Sequence, residues 1–294
     1  MTPKLDNRVS DARNSGTRRS FLYLIHRNMS VSLGAGLLIF IGLTALFAPL
    51  LFTVDPTTLN PIARLRAPSR EVWFGSDMYG RDIYSRTVYG CQVSLMVGLS
   101  VATLSVGIGL VIGLVAGYLR WLDAIVMRIM DGIMAIPGIL LAIALLALAG
   151  ASLGTVILAI TVPEIPRVVR LVRGVVLGIR EEPYIEAAIS LGTRTPKLLV
   201  RHVLPNIVAP LIVQGTYVCA SAIILEAILS FLGAGIPPET PSWGNIMAEG
   251  RTYFQIAPWI IFFPGLYLAI TVLGVNVLGD GLRDTLDPRL ARRF

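Results

Sequence analysis

Glu186-Ala187-Ala188, Gly192 and Leu204-Pro205 stand in a polar, basic interval, 180–206, that separates two apolar stretches of membrane-crossing length. The chemistry open to such a set is recognition of a partner. Tyr184 to Leu191 is composed mostly of good helix formers, Pro183 stands where a first helical turn tolerates it, and Gly192 follows where a left-handed cap closes a helix. Ala187, Ala188 and Gly192 leave that helix little bulk on one side, so another protein's surface has close access to its backbone, with Glu186 as one fixed charge. A second group, Asp131, Glu164 and Glu226, falls inside apolar runs, where an ionisable residue marks a pathway or a pairing. Arg128 lies three residues from Asp131 and Arg167 three from Glu164, so pairing is expected for both. Glu226 has no charged neighbour and is the candidate for a path-lining or intersubunit carboxylate. Arg167, Arg170 and Arg173, spaced by three, are expected to snorkel to lipid headgroups.

Enzyme chemistry lacks its residues. The two lysines, Lys4 and Lys197, each follow a proline, whereas a phosphate-binding loop ends in Gly-Lys. His26 and His202 are far apart, with no Cys or carboxylate pair at metal-ligand spacing, and no Ser-His-Asp or paired-carboxylate arrangement is visible. Cys91 and Cys219 fall at or within apolar runs and indicate no disulfide framework.

The elements that must position these residues are membrane spans. The chain has 294 residues, 54% hydrophobic and 15% charged, with a mean hydropathy of +0.72, which excludes an ordinary soluble domain. Apolar runs lie near 31–52, 93–118, 125–148, 153–175, 207–232 and 257–278. A helix of about 20 residues crosses the ~30 Å hydrocarbon core, so the reading is an all-α integral membrane protein with six transmembrane helices. The fourth run is the weakest span, being interrupted by Pro163, Glu164 and Pro166. The first run exceeds a signal-peptide core and is expected to stay as an anchor. Most of the 25 Lys and Arg residues fall in the N-terminal arm, near Trp121, in the 180–206 interval and its approach, and at the C-terminus, which places both termini in the cytoplasm. The organisation expected is a cytoplasmic arm at 1–29 and a membrane domain at 30–279. That domain holds an external loop at 53–90, a cytoplasmic loop at 176–206 and an external loop at 233–256; a cytoplasmic tail follows at 280–294. The net charge of +7 arises where topology needs it, and no basic groove interleaved with aromatics points to nucleic acid.

Three further patterns concern packing and the outer side. Gly109, Gly113 and Gly117 recur at four-residue spacing, the small-xxx-small pattern of close helix packing in lipid. Pro137 and Pro264 lie inside runs and are expected to kink them. The block Phe74-Gly75-Ser76-Asp77-Met78-Tyr79-Gly80-Arg81-Asp82-Ile83-Tyr84-Ser85-Arg86 precedes the second span, where Asp77, Arg81 and Asp82 are expected to pair and fix its start.

Glu186-Ala187-Ala188, three residues, Gly192, nine residues, then a hydrophobic position, any residue and Leu204-Pro205 resembles the coupling loop of ATP-binding-cassette importer permeases, with His202 at the usual Ile position. The Gly75 to Arg86 block resembles the Gly-Thr-Asp-x-x-Gly-Arg-Asp signature of the dipeptide and oligopeptide branch, with Ser76 in place of Thr. Glu226-Ala-Ile-Leu-Ser-Phe-Leu-Gly233 and Gly279-Asp-Gly-Leu-Arg-Asp-Thr-Leu-Asp-Pro288 resemble the C-type permease of that branch. The resemblance implies a type I importer permease fold and one half of a translocation path for di- or oligopeptides or similar solutes. It implies a homologous second permease, two ATPase subunits on the inner face, an extracytoplasmic substrate-binding protein and a lipid bilayer as partners. No cofactor is expected on this chain; ATP and Mg belong to the ATPases. Tyr184, Glu186, Ala187, Ala188, Leu191, Gly192, Leu204 and Pro205 would then couple to an ATPase. Gly75, Asp77, Gly80, Arg81, Asp82, Ser85 and Arg86 would either brace the second span or meet the binding protein. Nickel complexes, glutathione and opines are alternative cargoes, and a secondary transporter titrating Asp131 or Glu226 is the alternative from another class.

Overall fold

The computed structural model describes residues 28–286. The arm up to residue 27 and the tail after residue 286 lie outside the described residues. In lipid a backbone must satisfy its own hydrogen bonds, and the apolar runs accordingly become helices. They are α1 Met29–Leu46, α2 Ile83–Tyr118, α3 Arg120–Met134, α4 Gly138–Ala149, α5 Leu153–Arg180, α6 Pro183–Ser190, α7 Thr195–Phe231, α8 Trp243–Gly250 and α9 Trp259–Leu286. Among the described residues there is no strand, only an isolated bridge between Ser76 and Asp82.

Among the described residues four helices, α1, α2, α7 and α9, are long and apolar enough to cross a membrane. The third run departs from a kinked span: α3 and α4 meet at Pro137 with a bend of 86°. Pro137 has no N–H to continue the helix, so the ladder stops there and restarts at Gly138. The 12 residues of α4 extend about 18 Å, short of the ~30 Å core, so this run crosses only as a broken pair. The fourth run is a continuous 28-residue helix through Pro163 and Pro166, opened by a capping box between Ser152 and Thr155. Its Glu164 and four arginines keep it from being apolar in the manner of the other four. The interval 233–256, expected as an external loop, contains α8. Its Trp243 is fully buried and donates from Nε1 to the Thr87 carbonyl at 3.0 Å.

The core forms around α2, which packs on α5 and α7, while α9 packs on α1 and α7. The glycine spacing on α2 produces a seam. A Cβ built on Gly109, Gly113 or Gly117 would lie 2.6, 2.7 or 2.8 Å from the Cβ of Val168, Val172 or Val176, respectively. Those valines are themselves four residues apart on α5 and fully buried. Each glycine is thus a notch for one valine, and the β-branched side chains are rotamerically stiff. Gly113→Val should cost about 1–3 kcal/mol by overpacking. The purified variant should melt earlier than the parent in detergent, and equal melting would remove the seam from the account of stability.

Candidate docking site on the 180–206 segment

α6 starts with Glu182 as N-cap and Pro183 in the first turn, and ends at a Leu191 cap. Beyond it Gly192 has φ of 79°. The Gly192 N–H donates to the Ile189 carbonyl at 2.8 Å and the Thr193 N–H to the Ala188 carbonyl at 3.1 Å. This pair of bonds is the Schellman closure, which needs a left-handed residue at the position Gly192 occupies. The helix is seated by Ile185, which is 0% exposed, and by Ala188 one turn later, both in the core cluster that includes Val176, Leu198 and Val203. Tyr184, Glu186, Ala187 and Ile189 face outward, and Leu191 is 86% exposed. The small face expected from Ala187, Ala188 and Gly192 is therefore divided. Ala188 lies one helical step from Ala187 and turns inward with Ile185, so bulky Tyr184, Ile189 and Leu191 supply the outer apolar surface.

Leu204 and Pro205 open the long part of α7. Leu199–Val203 just before them is a π-turn, with the Leu204 N–H bonded to the Leu199 carbonyl. Pro205 has no N–H for the Arg201 carbonyl and its ring would crowd that group, and the widened turn removes the conflict. Leu204 is half-buried and Pro205 exposed. Asn206 Nδ2 donates to the His202 carbonyl at 2.8 Å and to the Tyr184 hydroxyl at 3.4 Å, which ties α7 to α6. The exposed charges are graded: Glu181, Glu182 and Glu186 lie at the start of α6, and Arg194, Lys197 and Arg201 follow its end. Acid near a helix N-terminus and base beyond its C-terminus both complement the helix dipole. The arrangement is a stiff, capped, apolar knob with charge at either end, which suits insertion into a groove of another protein.

The arginines that lead to this segment are paired: for Arg167 this is the pairing expected with Glu164, and for Arg170 and Arg173 it replaces the snorkelling expected of them. Arg167 Nη1 lies 2.9 Å from Glu164 Oε1, Arg170 Nη2 lies 2.6 Å from Asp131 Oδ1, and Arg173 Nη2 lies 2.7 Å from Asp123 Oδ2. Asp131 therefore bonds Arg170 of the facing helix α5 and not its neighbour Arg128. The Asp131 pair is half exposed, so its worth is about 0–1 kcal/mol.

At the other end of α2, Asp77 accepts from Arg86 Nη1 at 2.8 Å and also from Arg81, and Glu249 on α8 accepts from both arginines. Two acids and two bases thus form an alternating quartet, buried except at Glu249. Asp82 stands apart from it: it caps α2 by accepting from the Ser85 N–H at 2.8 Å and from the Ser85 hydroxyl. The pairing expected for Asp82 is replaced by a cap because its side chain precedes the first helical turn. Gly80, with φ of 75°, lies where a Cβ would be 1.8 Å from the Asn60 carbonyl oxygen, and Gly75 is also left-handed. Asp77, Gly80, Arg81, Ser85 and Arg86 are buried, so the block's charges turn inward and hold the start of α2 against α8.

Residues 109–292 match a protein family described as binding-protein-dependent transport system inner membrane component. The chain belongs to that family. It is 52% identical to a probable peptide ABC transporter permease protein, y4tQ, of Sinorhizobium fredii, over 97% of this chain and 99% of that one. It is 43% identical to the dipeptide transport system permease protein DppC of Alkalihalophilus pseudofirmus, over 84% of this chain and 82% of that one. A chain of the MetNI methionine ABC transporter, solved in inward-facing conformations, superposes with a TM-score of 0.50 at 22% identity, covering 66% of this chain and 95% of that one, and shows the shared fold. This inner-membrane transport component is accordingly a multi-pass membrane protein with the type I permease fold.

Within this member of the family, Glu226 is 0% exposed on α7, and its Oε1 accepts from the Ser230 hydroxyl at 2.8 Å. The expectation that it lines a path or meets another subunit is corrected in this conformation, since the turn after α7 and the start of α8 cover it. Glu249, Ile185, Ser221 and Trp243 escaped the sequence reading. Glu249 left no signal in the sequence, because Asp77 and Asp82 balance Arg81 and Arg86 there and the use of Asp82 as a cap becomes visible only in the structure.

Proposed function

We propose that the chain is one permease subunit of an ATP-binding-cassette importer for di- or oligopeptides, itself without catalytic activity. The observation that carries this reading is the capped helix α6, held by Ile185 and Ala188 with Leu191 and Tyr184 outward, in a chain whose relatives along nearly its full length are named as peptide permeases. A homologous second permease completes the path, two ATPase subunits bind ATP and Mg and receive α6, and an extracytoplasmic binding protein delivers the cargo. Closure of the ATPases would press on α6 and shift the spans between inward-open and outward-open states, the differential contact with the two ATPase conformations being what biases the spans. An ion-driven transporter has no use for such a surface.

Purification of the tagged chain in mild detergent, with identification of every copurifying protein and an ATPase assay on the same material, tests the reading. An ATPase pair and a second permease are expected. A lone chain that transports without ATP would replace the reading with a secondary transporter.

A further inference from the structure

A polar station lies halfway along α5, beside the break at Pro137. Glu164 is eleven residues into α5, about 17 Å from its start, and Ser221 is ten residues before the end of α7, about 15 Å from it. With a hydrocarbon core of ~30 Å, both stand near mid-depth. Glu164 is 2% exposed. Its Oε1 accepts from Ser221 Oγ at 3.1 Å and its two oxygens take Arg167 Nη1 at 2.9 and 3.1 Å. The Arg167 side chain is nonetheless 55% exposed, and among the described residues its guanidinium has Glu164 alone as an ionic or hydrogen-bonding partner. It borders a cavity of about 520 Å³ walled by Ile133, Ile136, Pro137 and Ile228. That volume is within the range of about 300–1,000 Å³ for pockets that hold small molecules.

A guanidinium at mid-depth does not face lipid tails; it faces water or a counter-charge. We propose that Arg167 receives the terminal α-carboxylate of a peptide in transit, with Glu164 and Ser221 as the groups that hold it in place. The inference rests on the peptide-importer reading. Glu164 occupies only Nη1, so the remaining N–H donors of the planar fork are free to meet a carboxylate in two parallel bonds. The Glu164 charge compensates Arg167 when the cavity is empty, which keeps the hold on cargo weak enough for release. The other walls are apolar and unshaped for any one side chain. The terminal carboxylate is the group that linear peptides share whatever their side chains, and a path that passes many sequences has that group to hold.

The test uses the assembled importer carrying Ile228→Cys, at a cavity residue that is 38% exposed. Maleimide labelling is followed on this chain after gel separation, against the low background of the buried Cys91 and Cys219. Tri-alanine should slow labelling several-fold and tri-alanine amide should not, and Arg167→Gln, read on material shown by size-exclusion chromatography to be assembled, should abolish the protection. Equal protection by acid and amide, or protection that survives Arg167→Gln, would overturn the assignment. So would absence of protection in a preparation that imports tri-alanine with ATP, since Arg167 then answers a carboxylate of the second permease. A preparation that hydrolyses ATP and imports no peptide fails at the peptide reading itself, which separates the two failures.

Discussion

Asp77→Ala is expected to destabilise the protein by about 3–5 kcal/mol, the effect of removing one partner from a buried ion pair. Arg86 is 1% exposed and shares its Nη1 between Asp77 and Glu249. Without Asp77, Glu249 alone must balance Arg81 and Arg86, and the N–H groups of Tyr79 and Arg81 lose the Asp77 oxygen they donate to at 2.8 and 2.9 Å. Net stabilities of about 5–15 kcal/mol make this a large share of the whole. The yield of monodisperse protein should fall sharply and the remainder should melt well below the parent. Glu249→Gln should cost less, because Glu249 is 17% exposed and water relieves part of the loss. Unchanged melting of Asp77→Ala would show that the quartet is dispensable.

Gly192→Asp and Glu186→Lys should each reduce ATP-driven uptake to background while the chain still inserts and assembles. Both positions are exposed, so neither substitution disturbs the core. Gly192 closes α6 at φ of 79°, where a residue with a Cβ pays about 1–2 kcal/mol, and the new carboxylate stands at the negative end of the helix dipole. Glu186→Lys reverses the charge in the first turn, where the dipole favours an acid. Uptake and ATPase rates, normalised to the amount of each variant in proteoliposomes, check both. Parental uptake in the two variants together would sink the assignment of α6 as the ATPase contact.

The helices were legible because apolar runs of span length have one way to satisfy their backbones, and the Gly192 cap was legible because its evidence is local, a glycine after a run of helix formers. What remained hidden depended on distance along the chain. Arg86 meets Glu249 across 163 positions, and Arg170 meets Asp131 across 39. Such pairs leave no periodic trace, and the nearer Arg128 offered Asp131 a plausible but incorrect partner. The division of Ala187 from Ala188 was lost for another reason. Composition reports which small residues are present, whereas the seating of Ile185 decides which of them faces out. Proline at 137 indicated a disturbance but not its size, a bend of 86° between α3 and α4.

The three valines in three glycine notches also determine which movements the molecule has left. Sliding α5 along α2 by half a turn, about 2.7 Å, would carry every valine out of its notch and onto helix backbone. Axial travel between these two helices is thereby latched, and a thrust delivered at either end moves them as a single rod. Interruptions of the helical ladder lie elsewhere, among them the bend at Pro137 beside Arg167 and the widened turn at Leu199–Val203 beside the docking knob, and these are where bending costs least.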